Sequence, residues 1–281
     1  MTPNEKKQLS ITACKVRMGI IESTHSAKCG HPGGSLSAAD MFTDLYFKEL
    51  NVDPANPKWE DRDRFVLSKG HTAPGLYSAL AQRGFIPVED LKTLRKTDSY
   101  LQGHPNMTYV PGVDMSTGSL GQGISCAAGM ALGLKYQGKS ARVYTLLGDG
   151  EIQEGQVWEA CMFAAHYKLD NFVVIVDNNG LQIDGAIDKV MSPYPIVDKL
   201  EAFGFHVEVI NGHDFDAIES ALATAKTIKG QPCAIIMQTV KGKDVSYMEN
   251  QAGWHGKAPN DAEAEQALTE LKAILSELEG A

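Results

Sequence analysis

Apolar positions recur along this chain in two periods, and the switches between them lay out its elements. Leu9, Ala13, Val16 and Ile20 repeat at helical spacing, so residues from about 5 to 27 read as an amphipathic helix. Gly30, Pro32, Gly33 and Gly34 stop it and shape a loop. Ser35 or Ser37 can cap a second helix running to about Leu50. Short apolar runs then read as strands at 65–68, 143–147, 172–176, 206–210 and 234–240. Helical stretches separate them, at 75–82, 124–134, 156–166, a segment ending at Phe203, and 215–229. Leu268, Leu271, Leu275 and Leu278 mark a closing amphipathic helix over 260–279. Residues 97–117 have little periodicity and read as a long functional loop. No repeat, low-complexity segment or long linker divides the chain. Residues 1–281 are therefore expected to form one α/β domain, a mostly parallel sheet with helices on both faces.

Composition narrows the classes of partner. A formal charge of −9 argues against nucleic acid, because neutralising phosphates takes a basic surface. The first ten residues are polar and lack the apolar core of a signal peptide. No apolar run approaches the roughly 20 residues a spanning helix requires, so no membrane partner is expected. Cys14, Cys29, Cys126, Cys161 and Cys233 are scattered, with no Cys-x-x-Cys pair. Reduced thiols in a cytoplasm follow as the default.

The chemistry gathers where two of the runs end. Gly148-Asp149-Gly150 follows the run at 143–147, and Asn178-Asn179 follows the run at 172–176, with a helix between them. That is a strand–helix–strand unit whose polar ends share one sheet edge, where open α/β sheets bind ligands. Asp149 offers a carboxylate and Asn179 an amide oxygen, hard donors suited to magnesium alongside phosphate and water. Gly150 lets backbone approach an anion, and the helix after it presents free N–H groups. The segment Gly118-Ser119-Leu120-Gly121-Gln122-Gly123 likewise opens a helix rich in small residues. Lys69 and Lys241 add charge that a diphosphate could meet. His31, His71, His104 and His255 sit in Gly- or Pro-bounded loops, each just after an element has ended, and imidazoles shuttle protons near neutral pH. His25, His166, His206 and His213 carry no such signal.

The 30-residue step from Asp149 to Asn179 closely resembles the thiamine-diphosphate fingerprint. That resemblance implies that Asp149, the Asn179 side chain and the Leu181 carbonyl hold a magnesium ion, with calcium and manganese as alternatives. Over nearly its whole length the chain resembles the amino-terminal part of transketolases. The motifs Gly30-His31-Pro32, Ser68-Lys69-Gly70-His71, Gly103-His104-Pro105, Gly118 to Gly123, Gly148-Asp149-Gly150 with Glu154-Gly155, Asn178-Asn179, Asn211-Gly212-His213-Asp214 and His255-Gly256 occur in that family's order. The resemblance implies that His31, His71, His104 and His255 face the substrate or the cofactor's reactive end. It places Lys241 near the diphosphate and Leu120 against the thiazolium ring. Glu154 and Glu159 resemble carboxylates buried where two cofactor sites communicate across a dimer interface.

The chain departs from the family in length. Transketolases continue into a pyrimidine-binding domain, with the glutamate that protonates the aminopyrimidine, and into a third domain. The expectation is therefore the amino-terminal subunit of a split transketolase, paired with a separate chain carrying those domains, two copies of each. It would move a two-carbon ketol group from a ketose, usually phosphorylated, to an aldose. The α chain of a 2-oxo-acid dehydrogenase and a deoxyxylulose-phosphate synthase fragment stand as alternatives, as does a non-catalytic cofactor-binding regulatory subunit.

Overall fold

The computed structural model describes residues 1–280. Its main sheet joins β1 (Arg64–Leu67), β2 (Val143–Gly148), β3 (Phe172–Asn178), β6 (His206–Asn211) and β7 (Cys233–Gln238). All pairings are parallel, in the order β1-β2-β3-β7-β6. A hairpin of β4 (Leu181–Gln182) and β5 (Gly185–Ala186) projects just after β3. These short, nearly all-apolar strands form because both faces are covered.

The strand period of two sorts the core. Phe172, Val174 and Val176 enter one cluster, against α5 (Gln122–Tyr136), α6 (Gly155–His166) and α8 (Ile196–Ala202). Val173 and Ile175 enter the other, against α1 (Pro3–Ala27), α2 (Pro32–Ser37), α3 (Ala39–Asp44), α4 (Ala73–Arg83), α9 (Phe215–Thr227) and α10 (Asp261–Gly280). A four-residue helix, α7 (Ile187–Val190), follows the hairpin. The expected arrangement of helices on both faces is thus observed. None of the described helices is long and apolar enough to cross a membrane.

Most expected elements appear within a few residues of their places, and α1 buries Leu9, Ala13, Val16 and Ile20 as the spacing predicts. Its start is a capping box between Thr2 and Glu5. Two expectations are corrected. The second helix begins at Pro32, not at a serine cap, because proline is pre-shaped for a first helical position. It breaks at Ala38, resumes as α3 and ends in a π turn, Leu45–Glu49. Neither serine caps it: Ser35 Oγ donates to the His31 carbonyl at 2.7 Å, and Ser37 Oγ to Asp177 at 2.6 Å. Strand β7 ends at Gln238, two residues early: the Thr239 amide keeps only a long bond to the Asn178 carbonyl, at 3.4 Å, and the Val240 amide donates to the His213 side chain instead.

Candidate cofactor site

The alternation that puts Val173 and Ile175 under α1–α4 carries Asp177 out on the same face at the end of β3. Asp177 is fully buried, and four groups donate to it: Ser37 Oγ at 2.6 Å, Lys69 Nζ at 2.5 Å, Asn179 Nδ2 at 3.1 Å, and Thr239 Oγ1. Burial alone would raise its carboxyl, but the Lys69 ammonium and the hydroxyl donors outweigh that and hold it below the ordinary range. Lys69 also donates to the Gly34 carbonyl at 3.2 Å. A buried pair with its remaining valences satisfied keeps its place, whereas removal of one partner strands a charge.

Asp149 stands one strand over, 2% exposed, and accepts from the amides of Gly150 (2.9 Å) and Gly180 (2.6 Å). Burial first, and the neighbouring Asp177 charge second, push its carboxyl up to about 7. Asn179 Oδ1 accepts from the Leu181 amide at 3.2 Å, in a tight turn. Lys241 Nζ donates to the Leu181 carbonyl at 3.0 Å and lies 2.9 Å from His255 Nδ1. Burial pulls its ammonium down to about 8, against the opposing pull of Asp149 and Asp177.

Three of the four predicted histidines meet. The His31 ring centre lies 5.0 Å from that of His71 and 5.5 Å from that of His255, and His71 stacks on His255 at 5.2 Å. Burial, with Arg95 adding to it, lowers His31 to about 4; burial and Lys241 lower His255 to about 3. Burial and Lys69 push His71 well below its usual value. All three rings are therefore neutral at pH 7. His31 Nδ1 is buried without a hydrogen-bond partner. His104, also lowered by burial and Arg95, stands apart under Gly118. That glycine has φ +149°, and a Cβ there would come within 2.9 Å of the imidazole.

One cavity of about 310 Å³ is lined by Lys69, His71, Leu120, Gly148, Asp149, Gly150, Glu154, Asn179, Leu181, Lys241 and His255. The structure thus brings most of the expected cofactor residues and all three expected metal donors to one place. Gly118 and Ser119 instead line a second cavity of about 160 Å³. Glu154 and Glu159 are exposed in this single chain, so their burial would take a second chain.

Sequence reasoning missed Glu151, which is 3% exposed and gathers Ser68 Oγ (2.5 Å) and the amides of Gly121 (3.0 Å) and Gly148 (3.1 Å). Burial raises its carboxyl, and these three donors oppose the rise. It ties together the ends of β1 and β2 and the start of α5. Asp177, Ser37 and Thr239 were missed too. A signal existed for Asp177 alone: a charge closing an otherwise apolar strand.

Hard oxygen donors, buried cations and glycine-rich turns at the carboxyl edge of a parallel sheet define a diphosphate-binding α/β domain. The family model described as the transketolase thiamine diphosphate binding domain matches residues 8–273. The chain belongs to the transketolase family. It is 43% identical over 257 residues to the 6-deoxy-6-sulfo-D-fructose transketolase subunit SqwG of Clostridium sp. strain MSTE9, covering 92% of this chain and 94% of that one. It is 41% identical over 271 residues to an apulose-4-phosphate transketolase subunit from Phocaeicola vulgatus, covering 96% of each. Human transketolase is 43% identical over 277 residues, 96% of this chain but 43% of the human one. The crystal structure of Campylobacter jejuni transketolase superposes with a TM-score of 0.87 at 32% identity, covering 99% of this chain and 46% of that one. The chain therefore spans less than half of these one-chain transketolases.

Proposed function

We propose that this chain is the amino-terminal subunit of a two-chain transketolase, active with a partner that supplies the pyrimidine-binding and third domains. The complex transfers a two-carbon ketol group from a ketose, or its phosphate, to an aldose. The observation that carries this reading is coverage: relatives named as transketolase subunits match over 94% and 96% of their length. Membership of the transketolase family favours it over the dehydrogenase and synthase alternatives.

In this reading residues 1–281 form one diphosphate-binding domain. Asp149, the Asn179 side chain and the Leu181 carbonyl hold a divalent cation, magnesium by the hardness of the donors, with calcium or manganese able to replace it. The cofactor, when bound, supplies the electron sink for breaking a carbon–carbon bond beside a carbonyl. Lys69 and Lys241 set the positive field for the diphosphate. Gly118, Ser119, Gly148 and Gly150 let backbone approach, and Leu120 packs on the ring. His71 and His255, neutral at pH 7, hold or pass protons at the reactive end, while His31 and His104 hydrogen-bond sugar hydroxyls. The unpartnered His31 Nδ1 supports that role, because a buried polar atom without a partner is costly unless a ligand satisfies it. Glu154 and Glu159 lie toward a second copy, in an assembly of two copies of each chain. All five cysteines are free, which supports a reducing cytoplasm.

The test is an assay of the chain alone and with its partner. Ketol transfer is expected from the complex only. Full transfer by the isolated chain, at ordinary rates of about 1–1000 per second, overturns the split site. Carbon dioxide released from pyruvate by the complex would favour the dehydrogenase or synthase reading instead. A complex fully active with Asp149→Ala would point to a non-catalytic scaffold.

A further inference from the structure

The loop leaving β7 carries two groups on which the cofactor edge depends. Thr239 Oγ1 donates to Asp177, and Lys241 Nζ reaches the Leu181 carbonyl and His255. Beyond Gln238, where β7 stops, the sheet gives this loop only the Thr239 amide on the Asn178 carbonyl, at 3.4 Å, and the next backbone anchor is the Gly242 amide on the Gly33 carbonyl, at 3.0 Å. The Val240 amide donates instead to His213 Nε2 at 2.8 Å. A backbone N–H can only donate, so Nε2 carries no proton and the ring proton is on Nδ1. Nδ1 donates that proton to Asp40 Oδ2 at 2.7 Å. Asp40, 4% exposed, also takes both arms of the Arg17 guanidinium, at 3.0 and 2.6 Å. Arg17 is 3% exposed, and its Nε lies 3.2 Å from Asp244 on the same loop.

The turn bearing His213 is shaped for this contact. The Gly212 amide donates to the Gln238 carbonyl at 2.9 Å. A Cβ at Gly212 would stand 2.5 Å from Thr239 Cγ2 and 2.8 Å from Met237 Cβ. Any side chain there would lift the turn, and His213 with it, away from Val240. His213, Asp40 and Arg17 come from three separate parts of the chain, and none of them lines the cofactor cavity.

We infer that His213 is a positioning residue for the cofactor site: anchored by the Arg17–Asp40 pair, it holds the Val240 amide and so places Thr239 and Lys241. This rests on reading the edge as the diphosphate site. His213→Ala removes the link. His213→Gln restores it, because its amide oxygen can accept from Val240 while its NH₂ donates to Asp40.

The experiment is calorimetric titration of the two-subunit complex with thiamine diphosphate and magnesium, beside steady-state kinetics and amide exchange of the peptide containing Val240. His213→Ala is expected to weaken cofactor binding about tenfold or more, the usual effect of losing a group that orients a ligand-holding residue. Sugar KM should hold within about twofold, since no group proposed to touch the sugar is lost. Val240 exchange should speed up, and His213→Gln should recover both cofactor affinity and protection. Gly212→Ala, which deletes no polar group, should reproduce the same selective loss and serves if His213→Ala does not fold. Wild-type cofactor affinity in folded His213→Ala or Gly212→Ala overturns the inference, as does a loss that falls equally on kcat and sugar KM. A wild-type complex that binds no thiamine diphosphate overturns both this and the diphosphate reading, a result distinct from the first.

Discussion

Two groups of buried residues meet at the cavity, and they are built on opposite plans. Around Asp177 each charge is held by partners within the chain: an ammonium, two hydroxyls and an amide. Around His31, His71 and His255 the rings touch one another, and His31 Nδ1 has no partner at all. Burial has opposite consequences in the two places. Where partners are present it freezes charge in position; where they are missing it strips charge from the rings and leaves hydrogen-bonding capacity open. The first group is satisfied within this chain; in the second, Lys241 meets His255 at 2.9 Å but His31 Nδ1 is left open, which the proposed function fills with a ligand.

The largest effect should come from breaking the first group. Asp177→Ala leaves Lys69 buried and unpaired, at a cost of about 3–5 kcal/mol in urea unfolding of the complex at fixed concentration. The double variant Lys69→Met with Asp177→Asn should lose less, because no net charge stays buried. A wild-type midpoint for Asp177→Ala would break the contrast. Next, Asp149→Ala should cost more than about a hundredfold in cofactor affinity while barely changing stability, since its carboxyl already sits near 7. Titration calorimetry beside the same urea curves separates the two quantities. His31→Asn should behave conversely, with kcat/KM for the sugar down by about tenfold, the loss of one buried hydrogen bond, and cofactor affinity intact.

The smallest effect is on pH dependence. An unfolded histidine titrates near 6.5, whereas folded His31 stays neutral down to about 4. Between those values the unfolded chain binds a proton that the folded chain does not. Stability present above pH 6.5 is therefore lost as pH falls toward 4, and because the ring is partly open to solvent, screening keeps the loss well below the full linkage slope of about 1.4 kcal/mol per pH unit. Subtracting the His31→Asn slope from the wild-type slope isolates it. Identical slopes would mean that burial does not keep the ring neutral.

What was readable in the sequence was whatever a short stretch can carry. Gly148-Asp149-Gly150 and Asn178-Asn179 announce themselves because strand ends and tight turns impose local rules, and the histidine loops are marked by their glycines and prolines. Pairings across long separations left no such trace. Ser37 and Lys69 reach Asp177 from 140 and 108 residues away, and nothing beside either one names its partner. Ser37 therefore reads as a helix cap and Glu151 as one more acid after a glycine. His213 looks like any turn histidine until Val240 and Asp40 close on it.

Lys241 lies against the Leu181 carbonyl, the oxygen assigned above to the metal. In the proposed site that oxygen would serve two positive groups at once, one lone pair for the ammonium and one for the ion. Even before an ion arrives, the ammonium answers one of the oxygens gathered there, and the resting edge is spared part of its unbalanced negative potential.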